Sequence, residues 1–413
     1  MKILHIATGF KLSFQGGITN YVRALADSQV QSGHDVTVMG DPDDTVFSYK
    51  YVSGFTGNIP PFYLGKLEDK ENLNAIKLFL QREQFDIIHV HMTMGLDWDL
   101  YTALEGYRYV VSLHDYFYIC PRIQMIDKHK KLCAAYHEEN CNRCISMLES
   151  IRACRGVLKI ARKITGNENL CMPYVSQTVT KERHVRFRQL LENAQLVIPV
   201  SKRVGEIFRR SGFHANYQVL HIGNISAEHF KHEYLVDRSE RKLKIGVLGS
   251  MTYYKGAELV IEFAKKLDTA KYEIHFWGRP LKYKEALRQA GVIMHGAYMQ
   301  KDLPTLLEAV DLGFVLSVWE DNGPQVVMEF LNNRVPVIGT RLGGIIDFVS
   351  SGENGYLFDP YSDSEKKAAV DYLNSLTVDD IYRMKANITR TTLPSEHYQA
   401  IQELYNEIVC AKV

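Results

Sequence analysis

Short apolar runs alternate with longer amphipathic stretches along this chain. Residues 2–7, 35–39, 87–91, 109–113 and 196–199 read as buried strands, and residues 19–31 and 73–84 between them carry apolar positions at helical spacing. Strands alternating with helices predict an α/β fold with a parallel, doubly wound sheet. The charged stretch 231–244 (KHEYLVDRSERKLK) interrupts this pattern and reads as a linker. The alternation then restarts at 245–249, 257–267, 272–277, 282–289, 292–295 and 303–309. Since 413 residues exceed one typical core, two domains are expected, at 1–234 and 235–395, with a cleft between them as the place for a ligand. The tail 396–413 spaces Tyr398, Ile401, Leu404, Tyr405 and Ile408 as a helix does, and is expected to pack back on the first domain.

The most informative segment is 319–348, WEDNGPQVVMEFLNNRVPVIGTRLGGIIDF. An apolar run, 312–318, delivers Glu320, Asp321 and Asn322 to its end. Gly323-Pro324 then turns the chain, and Pro324 suits the first position of a helix that carries Glu329. A further strand, 335–340, ends in Arg341-Leu342-Gly343-Gly344 and opens another helix. Carboxylates and helix N-termini are thus gathered at the carboxyl edge of a parallel sheet, where open α/β sheets bind ligands.

Composition narrows the picture. With 46% apolar and 23% charged residues the chain is an ordinary globular protein, and a net charge of +1 gives no nucleic-acid signature. No apolar run is long enough to span a membrane, and the start MKILHIATGF reads as a strand, not a signal peptide, which points to the cytoplasm. Seven cysteines form an odd set. Cys120, Cys133, Cys141 and Cys144 fall as C-x12-C-x7-C-x2-C, and could hold a structural zinc or remain reduced and buried. Arg152, Arg155, Lys159, Arg162 and Lys163 lie at helical spacing, as either a solvated basic face or a contact with anionic membrane.

Other residues carry candidate chemistry. Gly16-Gly17, between the first strand and first helix, would let backbone approach an anion, or would simply turn the chain tightly; the loop is not GxGxxG. Lys255 precedes Gly256 at a helix start, where a cation opposes the helix dipole unless a phosphate lies between them. His114-Asp115 follows the strand at 109–113 and is either structural or placed to meet a sugar hydroxyl. Asp321 and Glu329 are either solvated acids or a pair facing one molecule, accepting hydrogen bonds from vicinal hydroxyls.

In their order and spacing, these motifs resemble the retaining GT-B glycosyltransferases of family 4 over nearly the whole chain. The resemblance rests on the Gly-Gly loop, SLHDYFYICPR at 112–122, GSMTYYKG at 249–256, GAYMQKDLPTLLEAVDLGFVLSVWEDNGPQVVMEF at 296–330, then VPVIGTRLGGIIDFV and SGENGYLF. It implies two Rossmann-like domains and transfer of a sugar, with retained configuration, from a nucleoside-diphosphate-sugar to a glycan or lipid-linked hydroxyl. Such transfer would serve surface polysaccharide synthesis at the inner face of the membrane, with no cofactor required. Carried over, Glu329 holds the donor ribose, while Asp321, with Glu320 and Asn322 beside it, holds the donor sugar. Lys255 neutralises the diphosphate, Gly16-Gly17 approach it, and His114 touches the transferred sugar. The pattern's second cation falls at Ser250, and Arg341 is a candidate substitute. The rivals are a sugar-nucleotide epimerase of the same fold and a catalytically weak sugar-nucleotide-binding partner of another transferase.

Overall fold

The structure is a computed structural model that describes residues 1–7, 17–40, 48–53, 70–92, 98–144, 160–161, 163–166, 178–234, 237 and 239–411. Gly16 and most of the basic run, Arg152, Arg155, Lys159 and Arg162, lie outside the described residues; Lys163 is exposed. The chain divides into two compact units. One comprises Met1–Val200, Val204–Leu220 and Tyr398–Val413, the other Ser201–Arg203 and His221–His397.

The first unit contains β1 (Lys2–Ala7), α1 (Gly17–Gln31), β2 (Asp35–Gly40), β3 (Lys50–Ser53), α2 (Lys70–Glu83), β4 (Ile87–Met92), α3 (Trp98–Ala103), β5 (Tyr109–Leu113), α4 (Glu138–Cys144), α5 (Thr178–Glu192) and β6 (Leu196–Pro199). Its strands form one sheet in the order β3-β2-β1-β4-β5-β6, with parallel pairing throughout. The near-continuous apolar runs of β1 and β5 follow from burial on both faces.

The second unit repeats the plan with β7 (Leu243–Ser250), α6 (Ala257–Lys266), β8 (Tyr272–Arg279), α7 (Lys284–Gln289), β9 (Ile293–Gly296), α8 (Leu303–Leu306), β10 (Leu312–Val315), α9 (Gln325–Asn332), β11 (Val337–Thr340), β12 (Gly355–Phe358), α10 (Asp363–Ser375) and α11 (Val378–Asn387). Its strand order is β12-β11-β10-β7-β8-β9, again all parallel. One core cluster holds Phe263, Phe276, Phe314 and Phe358; a second holds Trp277, Phe330, Val337 and Ile345. Gly313 lets α9 seat closely on β10, since a Cβ there would lie 2.6 Å from the Phe330 ring. That close seating positions Glu329.

The boundary differs from the expected one. The first unit closes at Leu220, because the following segment is bonded to the second. Asn224 caps a 3-10 turn at Ile225–His229 and donates to Gln325 Oε1 at 2.7 Å, and Lys231 N–H donates to Asn332 O at 3.1 Å. The charged stretch read as a linker is likewise anchored, Arg241 forking onto Asp311 at 2.8 and 2.9 Å. The last helix, α12 (Pro394–Cys410), joins the first unit from Tyr398 onward, where Tyr405 is buried.

Candidate active site

Both sheets have their topological switch between the first and fourth strands of the unit, which are β7 and β10 in the second. There the connections leave toward opposite sides and open a crevice at the strand ends. Lys255 follows β7 and Asp321 follows β10. They meet across the switch, Lys255 Nζ lying 2.5 Å from Asp321 Oδ2, with the ammonium 5.8 Å from the Trp319 ring centre. Ser317 Oγ also donates to Asp321 Oδ2 at 3.1 Å. Gly256, in the left-handed region at φ +78, lets α6 begin directly after Lys255. Asp321 is buried while Lys255 is exposed, so this is a half-solvated ion pair whose cation is free to reorient toward a bound anion.

Beside the pair, polar groups are buried without protein partners. Both side-chain atoms of Asn322, Glu329 Oε2 and Trp319 Nε1 find no hydrogen bond among the described residues. A buried polar atom left unpaired costs on the order of 1–3 kcal/mol, so three such residues, on the segment after β10 and on the helix it leads into, mark a candidate ligand site. Burial alone pushes Glu329 from 4.5 up to about 7. Nearby, Tyr298 follows β9, and its phenol is pushed up by burial and then by the charge of Glu329.

Glu320 departs from the expected donor-sugar role. It is 1% exposed, its carboxylate takes Arg203 Nε at 3.1 and 3.2 Å and Nη2 at 2.6 Å, and it accepts from Gly343 N–H at 2.6 Å. It is a clamp on the loop after β11. Gly343, at φ +55, admits no side chain, since a Cβ would lie 2.1 Å from Asp321 O; Gly344 N–H donates to that same oxygen at 2.6 Å. The helix expected after this loop is a 3-10 turn, Gly343–Asp347, and α9 begins at Gln325 with Pro324 as its cap.

Arg341, the candidate second cation, directly follows β11, two strands from β7, and its exposed guanidinium pairs with Glu365 at 2.6 Å. Arg279 is a further cation at this sheet edge, not singled out from the sequence. It ends β8 in direct register with Ser250, is exposed, and makes no ion pair among the described residues. The signal available was GRP directly after the strand at 272–277.

In the first unit, Gly17 is the exposed first residue of α1. His114 follows β5, half-buried, with Nε2 3.3 Å from His91 Nδ1. Asp115 accepts from Phe117 N–H at 2.8 Å, and burial lifts it to about 6. Cys120, Cys133, Cys141 and Cys144 line one pocket of about 620 Å³. Burial pushes Cys120 up to about 11 and Cys133 up to about 12. Arg122 Nε donates to Cys144 Sγ at 3.2 Å. Among the described residues, the group of ligand-type side chains whose atoms all lie within 4.8 Å of one another is His5, His89 and His91; the cysteines form no such set. Zinc ligation needs converging sulfurs, so this spread arrangement of thiols does not fit the expected metal.

The fold is that of the GT-B glycosyltransferases, two Rossmann-like α/β domains in one chain. The family described as "Glycosyl transferases group 1" matches residues 235–390, and "Glycosyltransferase Family 4" matches residues 15–149. The chain belongs to this family of glycosyltransferases. A glycosyltransferase from Rickettsia africae ESF-5 has a similar structure, with TM-score 0.65 and 13% identity over 100% of this chain and 99% of that one. Anabaena Alr3699/HepE, solved in complex with UDP-glucose, gives TM-score 0.61 and 17% identity over 98% and 100%. The apo form of the lipopolysaccharide outer core galactosyltransferase WaaB gives 0.61 and 13% over the full length of both chains. No curated protein matches the chain in sequence. No helix among the described residues is long and apolar enough to cross a membrane.

Proposed function

We propose that this glycosyltransferase binds a nucleoside-diphosphate-sugar at the β7/β10 switch of its second unit and transfers the sugar, with retention, to a glycan or lipid-linked hydroxyl. The observation that carries this reading is the set of buried, unpartnered polar groups on Asn322 and Glu329 beside the Lys255–Asp321 pair. Glu329 accepts the ribose hydroxyls, a task for a carboxylate that can take two donors. Asp321 and Asn322 hold the donor sugar. Lys255 swings from Asp321 onto the diphosphate, with Ser250 at the strand end and Arg279 beside it as the second cation. His114, in the first unit, contacts the transferred sugar, and Gly17 leaves backbone open to the donor.

Chemically, the diphosphate is the leaving group, so catalysis is largely the stabilisation of its developing charge by fixed cations and helix N-termini. Lysine, arginine and backbone amides supply that charge without a metal ion. Anabaena Alr3699/HepE has been solved with UDP, UDP-glucose, and UDP with glucose, which supports a nucleotide-sugar as the class of donor. The WaaB likeness supports a glycan acceptor, as in surface polysaccharide synthesis. The test is a thermal-shift screen against UDP-, GDP-, ADP- and dTDP-sugars, followed by assay of free nucleoside diphosphate on adding acceptor. Stabilisation by one base class and acceptor-dependent release are expected. Isomerised nucleotide-sugar without acceptor would instead support an epimerase.

A further inference from the structure

A chain of buried polar side chains runs beneath His114. His5 on β1, His89 and His91 on β4, and Ser112 on β5 all come from adjacent strands of the first sheet. Gln29 of α1 and Tyr405 of α12 complete the set. His5 Nε2 lies 2.7 Å from Gln29 Oε1, His5 Nδ1 lies 2.9 Å from His91 Nε2, and His91 Nδ1 lies 3.3 Å from His114 Nε2. A parallel branch joins Tyr405 to His89 Nδ1 at 2.5 Å and His89 Nε2 to Ser112 at 2.7 Å. His5 and His89 have both ring nitrogens engaged in this way, so the cluster is a hydrogen-bond relay and leaves His5 and His89 no nitrogen for a metal.

The direction of the relay follows from counting protons. A carbonyl oxygen accepts, so His5 Nε2 carries a hydrogen. Burial holds His5 down at about 4, so the ring is neutral and its Nδ1 must accept. His91 therefore donates from Nε2. His91 is 2% exposed, with the His89 ring 3.8 Å away, and burying a charged ring is costly, so its Nδ1 accepts in turn.

We infer that Gln29, His5 and His91 are positioning residues that fix the proton of His114 on Nε2, so that its Nδ1 accepts a hydrogen bond from a substrate hydroxyl. This rests on the proposed role of His114. The relay gives that role a sign, since a His114 ring with its proton held on Nε2 meets a sugar hydroxyl as an acceptor at Nδ1. Tyr21 of α1, its ring 4.9 Å from that of His114 and 5.8 Å from that of His91, limits their rotation.

The test is ¹⁵N spectroscopy of the full chain with labelled histidine, paired with steady-state kinetics. Wild type should show His114 as a single tautomer protonated at Nε2. His91→Phe should give a tautomer mixture at His114 and lower kcat roughly tenfold, as for one misdirected hydrogen bond, with KM for the nucleotide-sugar unchanged. Gln29→Met, at the far end of the relay, should move the same tautomer signals in a protein with an intact His91 and serves if His91→Phe does not fold. A wild-type His114 protonated at Nδ1, or a tautomer unchanged in both variants, overturns the relay. A fixed tautomer with turnover indifferent to His114→Ala would overturn the substrate contact and the proposed role of His114, while the relay itself would stand.

Discussion

Glu329 is the residue whose environment asks most for a ligand. Its folded pKa of about 7 lies above the ordinary 4.5, so the folded protein takes up a proton here. The stability associated with the protonated form is full below about pH 4.5, is lost as pH rises to about 7, and does not change further above that. Glu329→Gln should remove this slope and raise stability at pH 8 by on the order of a few kcal/mol, measured by denaturant titration. Ribose hydroxyls favour the carboxylate, so wild-type affinity for a nucleotide-sugar should rise from pH 6 to 8 and be flat in Glu329→Gln; equal slopes would refute the ribose role. Lys255→Ala should lower turnover about a hundredfold or more, checked by nucleoside diphosphate release. Lys255, Asp321 and Glu329 were named from the sequence through the resemblance of GSMTYYKG and the 319–330 segment to the family's motifs, and the structure brings Lys255 against Asp321. The clamping role of Glu320 was not legible, because adjacent carboxylates look alike until the structure shows which one turns inward to Arg203 and Gly343.

At the scale of elements, the site depends on the loop after β11 lying against the turn after β10. Glu320 bonds the first to Arg203, and Gly343 fits where a methyl group would meet backbone. Glu320→Ala should therefore cost on the order of 1–3 kcal/mol by removing the carboxylate that bonds the Arg203 guanidinium and the Gly343 amide, read as a fall in denaturation midpoint. Gly343→Ala should cost at least about 1–3 kcal/mol through overpacking and lower nucleotide-sugar affinity; wild-type values would contradict the account of this loop. The strands were legible from their apolar runs, β5 and β6 with the same ends in sequence and structure. Less legible was what lies between them. The helix expected at 303–309 is shorter, Leu303–Leu306, and the one expected after Gly343-Gly344 is a 3-10 turn. The histidines of β1 and β4 also went unread, because alternating His89 and His91 in a strand resemble any half-buried pattern until His5 is seen in register beside His89.

At the scale of the molecule, each unit repeats one strand order, and the repetition was visible as a restart of the strand–helix alternation near residue 245. The boundary was not, because residues 221–234, counted from sequence with the first domain, are held to the second unit by Asn224, Ser226 and Lys231. The central claim is that the β7/β10 switch holds the nucleotide-sugar. The direct measurement is calorimetric titration of the best-stabilising nucleotide-sugar into wild type and Asn322→Ala, whose side chain makes no protein hydrogen bond among the described residues. The account predicts at least a roughly tenfold loss of affinity with no loss of stability. Unchanged affinity in a folded Asn322→Ala protein would place the donor elsewhere.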